Sequence, residues 1–225
     1  MLAERKRLGL IVPSSNSVME VDFYRNLPPD MTLHVARMYL YDTTVAGEEE
    51  MLDVHFPKAL SDLATVMPDA IVFGCTSAGA LRGNAYDEEL CAKITQVAGC
   101  QSISVIASVR QMLEKLKLQK IAVITPYIEA LNQRIKASLE ADGVSVEAIH
   151  GLGIDHNHSI GMVEPNDILK FTMEKVHGLA MDGVFLSCTN FRAMDVYEKL
   201  QEKLGMPVIT SNQIALKFAL EALQK

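Results

Sequence analysis

The sequence predicts an α/β protein made of two similar Rossmann-like (flavodoxin-like) halves, each around a mainly parallel sheet. A pseudo-twofold relates the halves, and the active site lies in the cleft between them. Three observations carry this reading. Short apolar runs alternate with longer segments whose apolar residues recur at three- and four-residue spacing, the pattern of βαβ units. The short runs are apolar on both faces, as buried parallel strands are. Third, Asp69-Ala-Ile-Val-Phe-Gly-Cys75-Thr76 is similar to Asp182-Gly-Val-Phe-Leu-Ser-Cys188-Thr189, 113 residues later. The same offset carries Val12-Pro13-Ser14 onto Thr125-Pro126-Tyr127 and Asp42 onto Asp155. One long period shared by three landmarks reads as a duplicated half rather than a solenoid repeat.

In chain order, the strands expected are Leu8–Val12, Thr32–Tyr39, Ala70–Gly74, Ser102–Val105, Ile121–Thr125, Ser145–His150, Gly183–Ser187 and Val208–Thr210. Each is bounded by Pro, Gly, Ser or Asp or by a polar segment. Helical periodicity covers Glu48–Val66, Ser108–Leu118, Glu129–Ala141, Asn166–Leu179 and Met194–Leu204. Residues 1–105 form the first half and 119–210 the second, with helices at 106–118 and 211–225 crossing or packing between them.

At 225 residues and 49% hydrophobic content the chain can bury a sizeable core. A net charge of −7 without a long basic run argues against a nucleic-acid partner. No stretch approaches the roughly 18 apolar residues of a membrane span. The first apolar run ends at Pro13 and makes no signal peptide, so a cytoplasmic protein with reduced thiols is expected. The four cysteines, at 75, 91, 100 and 188, form no C-x-x-C, and no His cluster has zinc spacing. No metal is therefore expected. Gly151-Leu-Gly153 lacks the rest of a dinucleotide fingerprint, and neither a P-loop nor a nucleophile elbow occurs, so no cofactor is expected either.

In open α/β sheets ligands bind beyond the carboxyl ends of the strands. Pro13, Cys75, Pro126 and Cys188 all follow strands at that end. If the halves face each other, two thiols approach one substrate from opposite sides, which suits proton exchange between faces or thiolate addition followed by rearrangement. Each Cys-Thr pair stands between a strand and an expected helix start, where backbone N–H groups lower a thiol pKa and cradle an anion. Thr76, Ser77, Thr189 and Asn190 add side-chain donors there. Pro13-Ser14-Ser15-Asn16 is compatible with a helix N-cap and with an anion loop in which Ser14 and Asn16 reach the ligand. Tyr127 fits a half-exposed packing residue and a substrate-donating phenol equally well. Cys91 and Cys100 read as small buried hydrophobes, and His156 and His158 as solvent-facing loop residues.

The paired Cys-Thr strand ends and the two-half layout resemble the aspartate/glutamate racemase superfamily. Within it, Val12-Pro13-Ser14-Ser15-Asn16 resembles the opening motif of maleate cis–trans isomerases, and the neighbourhoods of Tyr127, Asn157 and Cys188 are similar as well. The Gly-Cys-Thr-His of glutamate racemases is here Ser187-Cys188-Thr189-Asn190, and their Asp-Ser-Gly-Gly opening is replaced. Arylmalonate decarboxylases keep only the second-half cysteine, whereas this chain also has Cys75. Ectoine-breakdown relatives share the opening motif. The resemblance implies a cofactor-independent cis–trans isomerase of a small dicarboxylate, maleate to fumarate, acting as a homodimer or larger homo-oligomer. In that scheme Cys75 adds to the double bond, Cys188 exchanges the proton, Asn16 and Asn157 hold carboxylates, and Tyr127 donates a hydrogen bond. The alternatives are a racemase or decarboxylase of a related acid, a non-enzymatic binder, or a Cys75–Cys188 redox switch. The residues themselves leave open which thiol attacks.

Overall fold

Eight strands form two four-stranded sheets, parallel throughout, in a computed structural model that describes residues 5–224. The first sheet holds β1 (Lys6–Pro13), β2 (Met31–Met38), β3 (Ala70–Phe73) and β4 (Gln101–Ser104) in the order β2-β1-β3-β4. The second holds β5 (Lys120–Thr125), β6 (Ser145–Gly151), β7 (Gly183–Leu186) and β8 (Val208–Thr210) in the order β6-β5-β7-β8. The repeated order bears out the duplicated α/β architecture. Every strand starts and stops within two residues of its apolar run. The central strands β3 and β7 are buried along their whole length, which is why neither shows in/out alternation in sequence.

The helices are α1 (Met19–Asn26), α2 (Val45–Glu50), α3 (Phe56–Ala64), α4 (Thr76–Leu81), α5 (Asn84–Ala98), α6 (Val105–Leu116), α7 (Glu129–Glu140), α8 (Asn157–Gly161), α9 (Pro165–Lys175), α10 (Tyr197–Leu204) and α11 (Ser211–Leu223). The single helix expected over Glu48–Val66 is instead α2, a π-helical turn at Met51–His55, and α3. Pro57 at the start of α3 has no N–H to give, and Phe56 N bonds back to Met51 O, so the ladder slips by one residue. Likewise, a 3₁₀ turn at Ala193–Asp195 precedes α10 where one helix from Met194 was expected.

Along β1 successive side chains serve different layers. Leu8, Leu10 and Val12 join Ala70, Val72 and Ile103 against Ala215, Leu216, Ala219 and Leu223 of α11. The last helix of the chain thus covers one face of the first sheet. A Thr210/Gln213 capping box fixes where it starts. Ile11, Ile71 and Phe73 face the other way, into a core that runs on through α6 to Ile121, Val123 and Phe185 of the second sheet. One continuous interior therefore holds the two strand-end regions together. No helix among the described residues is long and apolar enough to cross a membrane.

The packing of α11 on the first sheet gives a direct test. Leu216→Ala should cost about 3 kcal/mol, because it opens a cavity beneath the sheet. For a chain of this size that lowers the thermal midpoint by roughly 6–12 °C, read by circular dichroism.

Candidate active site

The two cysteines leave their sheets at equivalent points. Beyond β3, Gly74 packs so tightly that a Cβ there would lie 2.8 Å from Met19 Sδ and from Val12 Cγ1, and 2.9 Å from Ile11 O. Only glycine lets the strand exit lie this close to β1 and α1. Cys75 then caps α4 with extended backbone. Beyond β7, Cys188 takes φ +116, a conformation that costs a non-glycine residue about 1–3 kcal/mol and clusters at functional sites. The helix start expected after Cys188-Thr189 is therefore not formed. A turn carries the chain through Thr189 and Asn190 instead, and Asn190 N–H points back at Cys188 Sγ, 3.2 Å away.

Hydrogen bonds across the two halves lock this junction. Asn16 Nδ2 donates to Thr189 Oγ1 at 3.0 Å, and the Thr189 hydroxyl donates to Gly74 O at 3.0 Å. The Thr76 hydroxyl donates to Ser211 Oγ at 2.8 Å, and that oxygen also accepts from Cys188 N at 3.0 Å. Asn157 Nδ2 donates to Ser15 Oγ at 2.9 Å, while Asn190 Nδ2 donates to Asn157 O at 2.6 Å. Asn16 Oδ1 also accepts from Val18 N and Met19 N at 3.0 Å, the helix-starting role open to it in sequence.

The expected site residues thus meet around one point, with different tasks. Thr76 and Thr189 commit their hydroxyls to the junction, and Ser14 Oγ accepts from Leu40 N at 3.1 Å, anchoring the chain beyond β2. Ser77 lies 3.8 Å from Cys75 Sγ and donates to the carboxylate of Glu48. Tyr127 is not half-exposed: it is 2% exposed, with its hydroxyl toward Cys188. Cys91, within α5, and Cys100, in the bend before β4, are partly exposed rather than buried. No group of three His, Cys, Asp or Glu among the described residues is arranged to hold a metal.

Two loops, one from each half, meet each other. Asp42 and Asp155, matched by the 113-residue offset, sit in loops that meet. Asp42 pairs with His156 as an isolated antiparallel bridge, Thr43 N donates to Asp155 O at 2.5 Å, and His156 Nδ1 lies 2.5 Å from Asp42 Oδ1. His156 is exposed as expected, but it serves as a clasp. Cys75 and Cys188 are each 4% exposed and Glu48 is 0% exposed.

Sequence reasoning expected helix ends to lower the thiol pKa values, and burial reverses that. It pushes Cys75 well above its ordinary value, the nearby Glu48 carboxylate adds to the push, and Ala78 N–H offsets only part of it. Burial takes Cys188 up to about 12, against a smaller opposing pull from Tyr127 and Asn190 N–H. Glu48 rises from 4.5 to about 8 for the same reason, with the Ser77 hydrogen bond opposing.

Glu48 and Ser211 are the site residues that sequence reasoning passed over. Glu48 hides in Glu48-Glu49-Glu50, yet it stands three and four residues before buried Met51 and Leu52 and so begins their stripe. The signal for Ser211 is the Thr-x-x-Gln capping pattern that places it in the first turn of α11.

The family model described as arylmalonate decarboxylase matches residues 8–223. The chain belongs to the arylmalonate decarboxylase family. Among its relatives in that family is the maleate isomerase of Alcaligenes faecalis, 26% identical over 219 residues, covering 91% of this chain and 86% of that protein. The arylmalonate decarboxylase of Bordetella bronchiseptica is 23% identical over 214 residues, covering 93% and 87%. A solved mutant of the Nocardia farcinica maleate cis–trans isomerase, carrying a covalently bound succinylcysteine intermediate, superposes with a TM-score of 0.88. Its identity is 21%, covering 97% of this chain and 93% of that one. The likeness to maleate isomerases read from the opening motif is thereby borne out.

The clasp can be tested without any substrate. An exposed ion pair contributes at most about 1 kcal/mol. His156→Ala should therefore speed alkylation of the buried thiols by no more than about five-fold, measured by peptide mass spectrometry, because the backbone bonds between the loops remain.

Proposed function

We propose that this chain is a cofactor-independent cis–trans isomerase that converts maleate, or a closely related small cis-dicarboxylate, to its trans form. The observation that carries the reading is the pair of thiols brought from equivalent strand ends into one closed site, with Tyr127 beside them. The Alcaligenes faecalis relative and the cysteine adduct in the Nocardia farcinica structure support it.

In this reading the Cys75 thiolate attacks one alkene carbon. A C–S bond forms, the π bond breaks, and its electron pair moves to the neighbouring carbon and its carboxylate. The Cys188 thiol protonates that carbon, leaving a succinyl thioether free to rotate about what is now a single bond. After rotation Cys188 takes the proton back, the double bond re-forms in the trans geometry, and the Cys75 thiolate leaves. Proton and electron pair return to their starting atoms, so no net oxidation or hydration occurs.

Binding falls to the groups around the thiols. Each primary amide N–H₂ has two donors. Asn16 and Asn157 each use one on the junction and keep a second for a substrate carboxylate. The Tyr127 hydroxyl, held neutral by burial, donates to the other carboxylate or to the developing charge. The homo-oligomer implied by resemblance belongs to this proposal and is read by sedimentation.

Decarboxylation is the second reading, favoured by the Bordetella bronchiseptica relative. Proton NMR separates the two. Cys75→Ser and Cys188→Ser should each lower maleate-to-fumarate conversion at least about 1,000-fold while the unfolding transition persists. Release of CO₂ from a substituted malonate, with maleate untouched, would overturn the isomerase reading.

A further inference from the structure

Among the described residues Glu48 is the one carboxylate sealed with the thiols, and the isomerisation scheme leaves it without a task. A buried carboxylate kept for structure is normally paired or fully hydrogen-bonded. Glu48 has Ser77 on Oε1, no partner on Oε2, and no salt bridge among the described residues. The charged groups nearest along the chain are engaged elsewhere. Glu49 and Asp53 bind Arg82, and Glu50 lies 3.8 Å from His55, all in more exposed positions. The titratable groups that do face Glu48 are Cys75, Cys188 and Tyr127.

The connection to Cys75 is specific. Ser77 stands between the two, its oxygen 3.8 Å from Cys75 Sγ and its hydroxyl donating to Glu48 Oε1. A serine hydroxyl can accept one proton while it gives up another. We propose that Glu48 is the proton acceptor for Cys75, acting through Ser77 as a Cys75–Ser77–Glu48 relay. The Cys75 S–H proton passes to Ser77 Oγ as the Ser77 hydroxyl proton passes to Glu48 Oε1. The products are a Cys75 thiolate and a neutral Glu48 acid, and the return transfer restores both when the thiolate leaves. The total charge of Cys75, Ser77 and Glu48 stays at one negative through the transfer. Glu48 is thus a positioning residue in the proton path, and the proposal rests on Cys75 being the attacking thiol. Its carboxyl, near 8, is matched to accept a thiol proton around neutral pH.

The relay and a merely repulsive neighbour predict opposite results, and the test needs no dicarboxylate. Acrylamide, a small neutral alkene, is allowed to add to the protein, and modification of Cys75 is followed by peptide mass spectrometry. If Glu48 accepts the proton, the wild-type rate rises with pH as Glu48 ionises and levels off above pH 8. Glu48→Gln should lose that limb and react about 100-fold more slowly at pH 7.5, the lower end of what a positioned base contributes. Ser77→Ala should slow the reaction comparably. The double variant should be no slower than the slower single one, since both interrupt one path. If Glu48 only repels the thiolate, E48Q lowers the thiol pKa and speeds addition. An unchanged or faster E48Q rate overturns the relay, and S77A carries the same test should E48Q fail to fold. Failure of maleate turnover with the acrylamide pattern intact would overturn the substrate and leave the relay standing.

Discussion

Four ionisable groups, Cys75, Cys188, Tyr127 and Glu48, are sealed into one site, and that confinement governs the rest of the structure. Burial disfavours every charged form, and charges of like sign disfavour one another in a medium that screens them poorly. Among these four groups a second negative charge is disfavoured, so their chemistry lies in where the first one resides. A thiolate on Cys75 needs a neutral Glu48, and an ionised Glu48 keeps Cys75 protonated. Water must be kept out for this coupling to be strong. The burial of all four groups meets that condition.

The duplicated fold makes the confinement structurally simple to arrange. Two sheets of the same strand order deliver their strand ends to one junction, and each end carries Cys-Thr. The surroundings of the two cysteines are not duplicated. Cys75 begins a helix and looks through Ser77 toward an acid. Cys188 sits at φ +116 and is held by Asn190 N–H, Ser211 and Tyr127. Sheets of the same strand order thus present two chemically identical thiols to unlike partners. The side with an acceptor acquires a route to a thiolate, and the side without one keeps its proton until a basic carbon appears.

Much of the fold was legible because burial on both faces leaves continuous apolar runs, and β3 and β7 are unmistakable in that respect. The cysteine pair was legible because duplication marks equivalent positions without needing three-dimensional information. The remainder depended on tertiary context. Glu48 looks like a solvated charge inside an acidic triplet until the packing of Met51 and Leu52 fixes which helix face is inward. The depressed thiol pKa expected from helix ends assumed partial exposure, and full burial outweighs a six-residue helix whose dipole is small. The π turn at Met51–His55 follows from one missing N–H at Pro57, which periodicity does not register.

The landmark pair Asp42 and Asp155 shows why an internal match can carry more than homology. In sequence it supports duplication and nothing else. In space the two loops meet, Asp42 bridging to His156 and Thr43 N donating to Asp155 O, so the duplicated positions become neighbours. Opening must break the backbone bonds that join the loops, whereas the exposed Asp42–His156 pair adds little by itself. The poorly screened surroundings of Cys75 and Glu48 make the position of one proton decide which of the two bears the charge.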